Sequence, residues 1–289
     1  MNIHTPLVWK CTDRHYDCRS RALVLGILNV TPDSFSDGGR FFDPTLAVEH
    51  GLQMIAEGAD ILDIGGESTR PGSDPVSLDD ELSRVIPIVR ELAKRTSAMI
   101  SVDTSKAEVA RQSLDCGAKI VNDVTGLSGD PAMVSVVAKY RAGAIVMHMQ
   151  GTPTTMQTNP TYDDVVGDVA AFFAARLRHL ADAGIDPDSI AIDPGIGFGK
   201  TQEHNLTLLA NLERVNAVGR PLCLGASRKG FMGIITGRNR GERLAGSLAV
   251  ACFSLARGSS HILRVHDVAA TVDAVKLSAA IDAFRDTAT

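Results

Sequence analysis

Short apolar runs alternate with longer amphipathic stretches from Leu23 to near the end of the chain. The runs are LVLGILNV (23–30), ILDIGG (61–66), MISVDT (99–104) and KIVNDV (119–124). Four more follow: AIVMHM (144–149), IAIDPG (190–195), PLCLGAS (221–227) and HILRVHD (261–267). Each is near-continuously apolar and rich in branched side chains, the pattern of strands buried on both faces. The stretches between them, such as 45–58, 78–95 and 163–184, carry apolar residues at three- and four-residue spacing and predict amphipathic helices. Gly184 stands where the last of these needs a C-terminal cap. Strand then helix, repeated with right-handed crossovers, predicts an α/β fold, a single (β/α)8 TIM barrel over residues 23–289. Residues 1–22 read as an N-terminal appendage, expected to form a short hairpin closing the bottom of the barrel.

An open doubly wound sheet is the competing architecture, and its glycine fingerprint is missing. DPGIGFGKT comes close to two phosphate-binding motifs and satisfies neither. GxGxxG finds Lys200 where its last glycine belongs, and a P-loop ending at Lys200 and Thr201 finds Pro194 where its first belongs.

Composition narrows the function classes. Of 289 residues, 44% are hydrophobic and 22% charged, which gives ample material for a core. Net charge is −5 with no basic tract, so nucleic acid is not an expected partner, although a few local cations can hold a small anion. No apolar run reaches the roughly 20 residues of a membrane-spanning helix, and the N-terminus lacks a secretory apolar region, so a cytoplasmic protein is expected. Cys11 and Cys18 could pair across a hairpin, but the expected state of all five cysteines is the free thiol; none has CxxC spacing.

Polar residues gather at or just beyond the C-terminal ends of the runs: Asn29, Glu67, Asp103, Asn122, Asp123, His148, Asp193, Ser227, Arg228, Lys229, Arg264 and His266. In a barrel those ends form one ring, where such enzymes carry out chemistry. Any one of these could instead cap the next helix. That explanation fails for the set, because Asn29, Asp103, Asn122 and Asp193 lie within the runs. Two carboxylates, an amide and a lysine suit a planar ligand with paired N–H groups and a carbonyl, such as an aminopyrimidinone. Arg264 and His266 with Asn29 could hold an anion of pyrophosphate size and its metal. His148 and the methionines Met147 and Met149 read more simply as strand-end or pocket-wall packing, and His50, His179 and His204 as solvent-exposed.

The motifs in order resemble those of dihydropteroate synthases. LGILNVTPDSFSDGG (25–39) and GGESTRPGS (65–73) are similar to the family's two loop signatures. SVDTSK (101–106), NDVTG (122–126), DPGIGFGK (193–200), ASRKGF (226–231), ERLAGSLA (242–249) and RVHD (264–267) continue the match over about 23–270. The resemblance implies a transferase of folate biosynthesis. It joins (7,8-dihydropterin-6-yl)methyl diphosphate and 4-aminobenzoate into 7,8-dihydropteroate, with release of diphosphate.

By position, the resemblance implies that Asp103, Asn122, Asp193 and Lys229 hold the pterin. Asn29 would bind Mg²⁺ with the diphosphate, which Thr69, Arg264 and His266 also contact, and catalysis would rest on Asp103, Lys229, Arg264 and His266. Thr31, Asp33, Phe35 and Ser36 would lie on the first loop and Thr69 and Arg70 on the second. Phe35, Pro71 and Phe198 would wall the aminobenzoate pocket, with Ser227 near its carboxylate. A homodimer through late helices is also implied. Gly230 departs from relatives that carry a hydroxyl or longer side chain there, which bears on aminobenzoate and sulfonamide binding. If a helix starts at Gly230, its free N–H groups offer a substitute. Two rival readings are a pterin-binding methyltransferase on the same barrel and a non-catalytic pterin binder; neither requires the intact loop motifs together with Arg264 and His266.

Overall fold

The computed structural model describes residues 7–31, 43–68 and 73–284. Strands β1 (Val8–Cys11) and β2 (Arg14–Asp17) pair antiparallel ahead of eight parallel strands. These are β3 (Leu23–Asn29), β4 (Ile61–Gly65), β5 (Met99–Asp103), β6 (Ile120–Asp123), β7 (Gly143–Met147), β8 (Ile190–Asp193), β9 (Cys223–Leu224) and β10 (Ile262–Val265). Their order is β8-β7-β6-β5-β4-β3-β10-β9. A parallel bridge between Ile192 and Leu222 joins the two outer strands and closes the barrel. All eight apolar runs therefore contain strands.

The helices are α1 (Pro44–Ala56), α2 (Leu78–Arg95), α3 (Ala107–Asp115), α4 (Met133–Tyr140) and α5 (Val165–Asp182). They continue with α6 (Gln202–Ala210), α7 (Leu212–Val215), α8 (Gly230–Thr236), α9 (Leu244–Ala256) and α10 (Val268–Asp282). Local chemistry sets their ends. Helix α2 starts at Ser77, whose side chain accepts from Asp80 N, and carries three acids in its first turn and Lys94 and Arg95 in its last, as the helix dipole favours. Asp164 caps α5 the same way, and Gly184 takes the positive φ expected just past its end.

Period-two alternation divides the strand residues between two cores. Val24, Leu28, Leu62, Ile64, Val102, Val121, Val146, Ile192 and Leu263 face outward into the layer under the helices. Leu23, Leu25, Ile61, Met99, Ile120, Ile145, Ala191, Cys223 and Ile262 face the barrel axis near the strand starts. The hairpin packs on this inner layer through Leu7, Trp9, Cys11 and Cys18. Trp9 is fully buried and donates its indole N–H to Ser189 O at 2.9 Å. Lys10 ties the same strand to Asp186 and Asp188 on the barrel. The appendage thus plugs the floor, and all five cysteines are free.

Candidate active site

Inward alternation continues upward from the apolar layer, and apart from Ile27 and Met147 its next positions are largely polar: Asp63, Ser101, Asp103, Asn122, Asp193 and Arg264. Register fixes their neighbours. Asn29 lies beside Gly65, Gly65 beside Asp103, and Asp103 beside Asn122. Gly65 keeps that wall open, since a Cβ there would stand 3.4 Å from Asp103 Cβ. Gly225 does the same opposite, 3.2 Å from Asp193 Oδ2.

Hydrogen bonds lock the floor of this chamber. Arg264 donates from Nε to Asp63 Oδ2 at 2.7 Å and from Nη2 to Asp103 Oδ2 at 2.6 Å. Asn122 Nδ2 donates to Asp63 Oδ2 at 2.9 Å. Asp193 Oδ1 accepts Gly195 N at 2.7 Å. Lys229, the residue before α8, stands with its ammonium 4.0 Å from the Phe198 ring centroid. Ser227 Oγ lies 3.0 Å from His266 Nδ1 and accepts His266 N at 3.2 Å.

Burial dominates the electrostatics. It raises the Asp103 carboxyl, opposed by Arg264 and reinforced by Asp63. It raises Asp193 as well, against the Gly195 N–H and the Lys229 charge. Lys229 is pushed down to about 8, again by burial, with Asp193 pulling the other way. His266 is pushed down to about 4 by burial and by the nearby Arg264, so it is a neutral imidazole at neutral pH. The chamber therefore offers carboxylates, an amide, two cations and a neutral histidine at one mouth.

Residues 25–266 match the family described as pterin binding enzymes. The chain belongs to that family. Dihydropteroate synthase of Escherichia coli (strain K12) is 48% identical over 254 residues, covering 88% of this chain and 89% of its own length. The structure of Yersinia pestis dihydropteroate synthase with a sulfonamide drug superposes with a TM-score of 0.90 at 42% identity, over 96% of this chain and 99% of that one. Dihydropteroate synthase from Xanthomonas albilineans in complex with 7,8-dihydropteroate gives 0.86 at 43% identity, over 96% and 99%.

In this pterin-binding enzyme, Asn29, Asp103, Asn122, Asp193, Arg264 and His266 come together at the C-terminal ends of the barrel strands, and Ser227, Lys229 and Phe198 border them. Thr31 is partly buried just past β3. Asp33, Phe35, Ser36, Thr69, Arg70 and Pro71 lie outside the described residues.

Four sequence readings change, the simplest being His50, half-buried on α1 where the sequence predicts solvent exposure. Asp123 does not face the ring. It points outward, one step out of phase with Asn122, and accepts Thr125 N at 2.7 Å and Leu127 N at 3.2 Å to shape a turn. Arg228 is committed to an ion pair with Asp267, and His204 is a partly buried helix cap whose Nδ1 accepts Thr201 N at 3.2 Å.

Two features escaped the sequence reading. Asp63 is fully buried mid-strand; its signal was a charge inside a run otherwise buried on both faces. Lys200 is the other, almost fully buried, with Nζ 3.0 Å from His148 Nδ1 and 3.0 Å from Phe198 O. It braces the turn that presents Phe198. That turn needs glycine at 195, where φ is +67° and a Cβ would lie 1.9 Å from His148 O.

Proposed function

We propose that this pterin-binding enzyme is a dihydropteroate synthase of folate biosynthesis. It transfers the (7,8-dihydropterin-6-yl)methyl group from its diphosphate ester to the amine of 4-aminobenzoate, releasing diphosphate. The observation that carries the reading is the convergence of Asp103, Asn122, Asp193 and Lys229 on one polar chamber at the barrel mouth, in a chain that aligns with such a synthase over 88% of its length.

The two carboxylates accept the paired N–H groups of the pterin, Asn122 meets its mixed edge, and the Lys229 ammonium donates to its carbonyl. Breaking the carbon–oxygen bond leaves positive charge on the pterin methylene, next to Asp103, and negative charge on the departing diphosphate. Arg264, steered from below by Asp63, brings a guanidinium to that bond, and His266 offers one neutral N–H. Preorganised charge of this kind usually supplies the largest part of a rate enhancement. The arylamine attacks as a neutral nucleophile, so no strong base is required.

Asn29 fits a Mg²⁺ site. Its amide is a hard oxygen donor at the strand end, without a hydrogen-bond partner among the described residues, and magnesium characteristically takes few protein oxygens beside phosphate oxygens. When bound, the ion neutralises diphosphate charge.

We also propose a cytoplasmic homodimer. Five unpaired cysteines accord with a reducing compartment. Leu248, Cys252, Ala256, Ala274, Leu277 and Ile281 line an apolar groove along α9 and α10, with Leu277 and Ile281 mostly exposed, a face suited to a second copy of the same face.

Mixing the purified chain with both substrates and Mg²⁺ should release dihydropteroate and diphosphate in equal amounts. Asp193→Asn should weaken pterin binding by about 1–3 kcal/mol in calorimetry. No product, or an unchanged affinity, would reject the reading. Sedimentation should show a dimer that Leu277→Asp dissociates.

A further inference from the structure

The ladder between β9 and β10 ends where Leu224 pairs with Leu263. Ser227, Lys229 and His266 lie beyond that last rung, where strand pairing no longer joins the two sides of the chamber. Side chains join them instead. Ser227 meets His266, and one step further along both chains of contact Arg228 forms a forked ion pair with Asp267, from Nε to Oδ2 at 2.9 Å and from Nη2 to Oδ1. Arg228 precedes Lys229 and Asp267 follows His266, so the fork links the immediate neighbours of two chamber residues.

Both partners forgo something local for this contact. Arg228 sits at φ +56°, in the left-handed region that suits glycine and strains other residues. Asp267 is the N-cap of α10, where a carboxylate ordinarily accepts a free helix N–H, and its side chain makes no such bond. The pair itself contributes little to stability. Its side chains are 30% and 18% exposed, and water screens ion pairs that are open to it. Stability alone therefore does not account for a strained backbone and an unused cap meeting at one fork.

Each end of the fork is anchored to its own helix. On the first side, Arg228 N donates to Ser247 Oγ on α9 at 2.9 Å. Arg243, just before α9, donates from Nη1 to Arg228 O at 3.2 Å and to Lys229 O at 3.4 Å. On the second side, Thr271 of α10 donates to Asp267 O from its backbone N at 3.1 Å and from Oγ1 at 2.7 Å. With both ends held, a bidentate fork of fixed geometry sets the distance between them.

We infer that Arg228 and Asp267 are a positioning pair: their fork fixes the spacing between the Lys229 ammonium and the His266 imidazole, so that one ligand engages both. The inference rests on the proposed synthase reading, in which Lys229 contacts the pterin ring and His266 the diphosphate. A ligand that touches only the ring adjusts to a shifted Lys229. One that spans ring and diphosphate needs both sides in register.

The test compares Arg228→Gly, Asp267→Ser and the double variant with the parent by calorimetry. The two ligands are (7,8-dihydropterin-6-yl)methyl diphosphate and the same pterin with a hydroxyl in place of the diphosphate. Glycine suits the backbone at 228 and serine can cap α10, so melting temperatures should stay close to the parent's. Affinity for the diphosphate ester should fall about tenfold while that for the hydroxymethyl pterin changes less than about threefold, because a ligand meeting two groups at once feels small misplacements strongly. The double variant should lose no more than either single one, since the same contact is removed in all three. Both ligands weakened alike with a much lower melting temperature would make the pair merely structural, and an unchanged affinity for the ester would make it idle; either overturns the inference. Turnover of the parent separates the two readings. A parent that binds both ligands and makes no dihydropteroate sinks the synthase assignment, and the difference between the two ligands still judges the pair.

Discussion

Arg264 reaches past the intervening strand β3 to Asp63 on β4, with Nε 2.7 Å from Oδ2. Asp63 is fully buried and also receives Asn122, so one carboxylate orients both a cation and an amide that face the chamber. Replacing one member of such a network leaves the other charge buried without its partner. Asp63→Asn should therefore lower stability by about 3–5 kcal/mol, read as a large fall in melting temperature. Pterin affinity should fall with it, since Asn122 and Arg264 lose their common anchor. A melting temperature within a degree of the parent would refute the network.

Arg264→Ala would strand both Asp63 and Asp103, mixing folding with catalysis. Arg264→Lys keeps the charge and removes the planar fork. Turnover should drop by about 10²-fold, the scale of one lost transition-state donor, while pterin Kd changes far less. Parallel losses in kcat and pterin affinity would argue against a role in bond cleavage.

Lys229 sets a pH limit. Burial pushes it down to about 8, so its ammonium is lost as pH rises through that value. Pterin affinity measured by calorimetry should fall across pH 7.5–9 and should lose that dependence in Lys229→Met. The sign for stability is opposite. Between about 8 and the ordinary 10.5 the unfolded chain holds more protons at this lysine than the folded one, so its contribution to stability grows with pH there. Affinity that is flat through pH 9 would show that the charge is not used.

Gly230 has open space where a Cβ would stand and no positive φ, so serine fits without strain. Helix α8 begins there, a point the sequence left open, and is only seven residues long. Gly230→Ser should lower the KM for aminobenzoate by about threefold to tenfold, the value of roughly one added hydrogen bond. An unchanged KM would place the carboxylate elsewhere.

Trp9→Ala tests whether floor and mouth are separable. Removing a fully buried tryptophan should destabilise by about 3–5 kcal/mol in urea unfolding. At low temperature, kcat per folded molecule should stay unchanged. A lowered kcat would mean that the hairpin reaches the chemistry.

The barrel was legible because strands buried on both faces must be written as continuous apolar runs, and all eight were. What the runs hide is pairing. Only Cys223 and Leu224 of the run 221–227 form a ladder, and closure against β8 depends on the single bridge at Leu222. The chamber was legible where polar residues end a run, as with Asp103, Asn122 and Asp193. Asp123 misled because adjacent strand residues face opposite ways, so two neighbouring polar residues cannot share one wall. Asp63 was missed because a mid-run charge reads as an interruption, when alternation puts it in phase with Asp103's wall. Lys200 braces its turn through residues brought near only by folding, and no local pattern announces such partners.

Among the described residues, Trp9 stoppers the lower end of the barrel, opposite the polar chamber. On the synthase reading both reactants use that chamber's mouth, so the pterin diphosphate is expected to bind before 4-aminobenzoate, an order that product-inhibition kinetics would show.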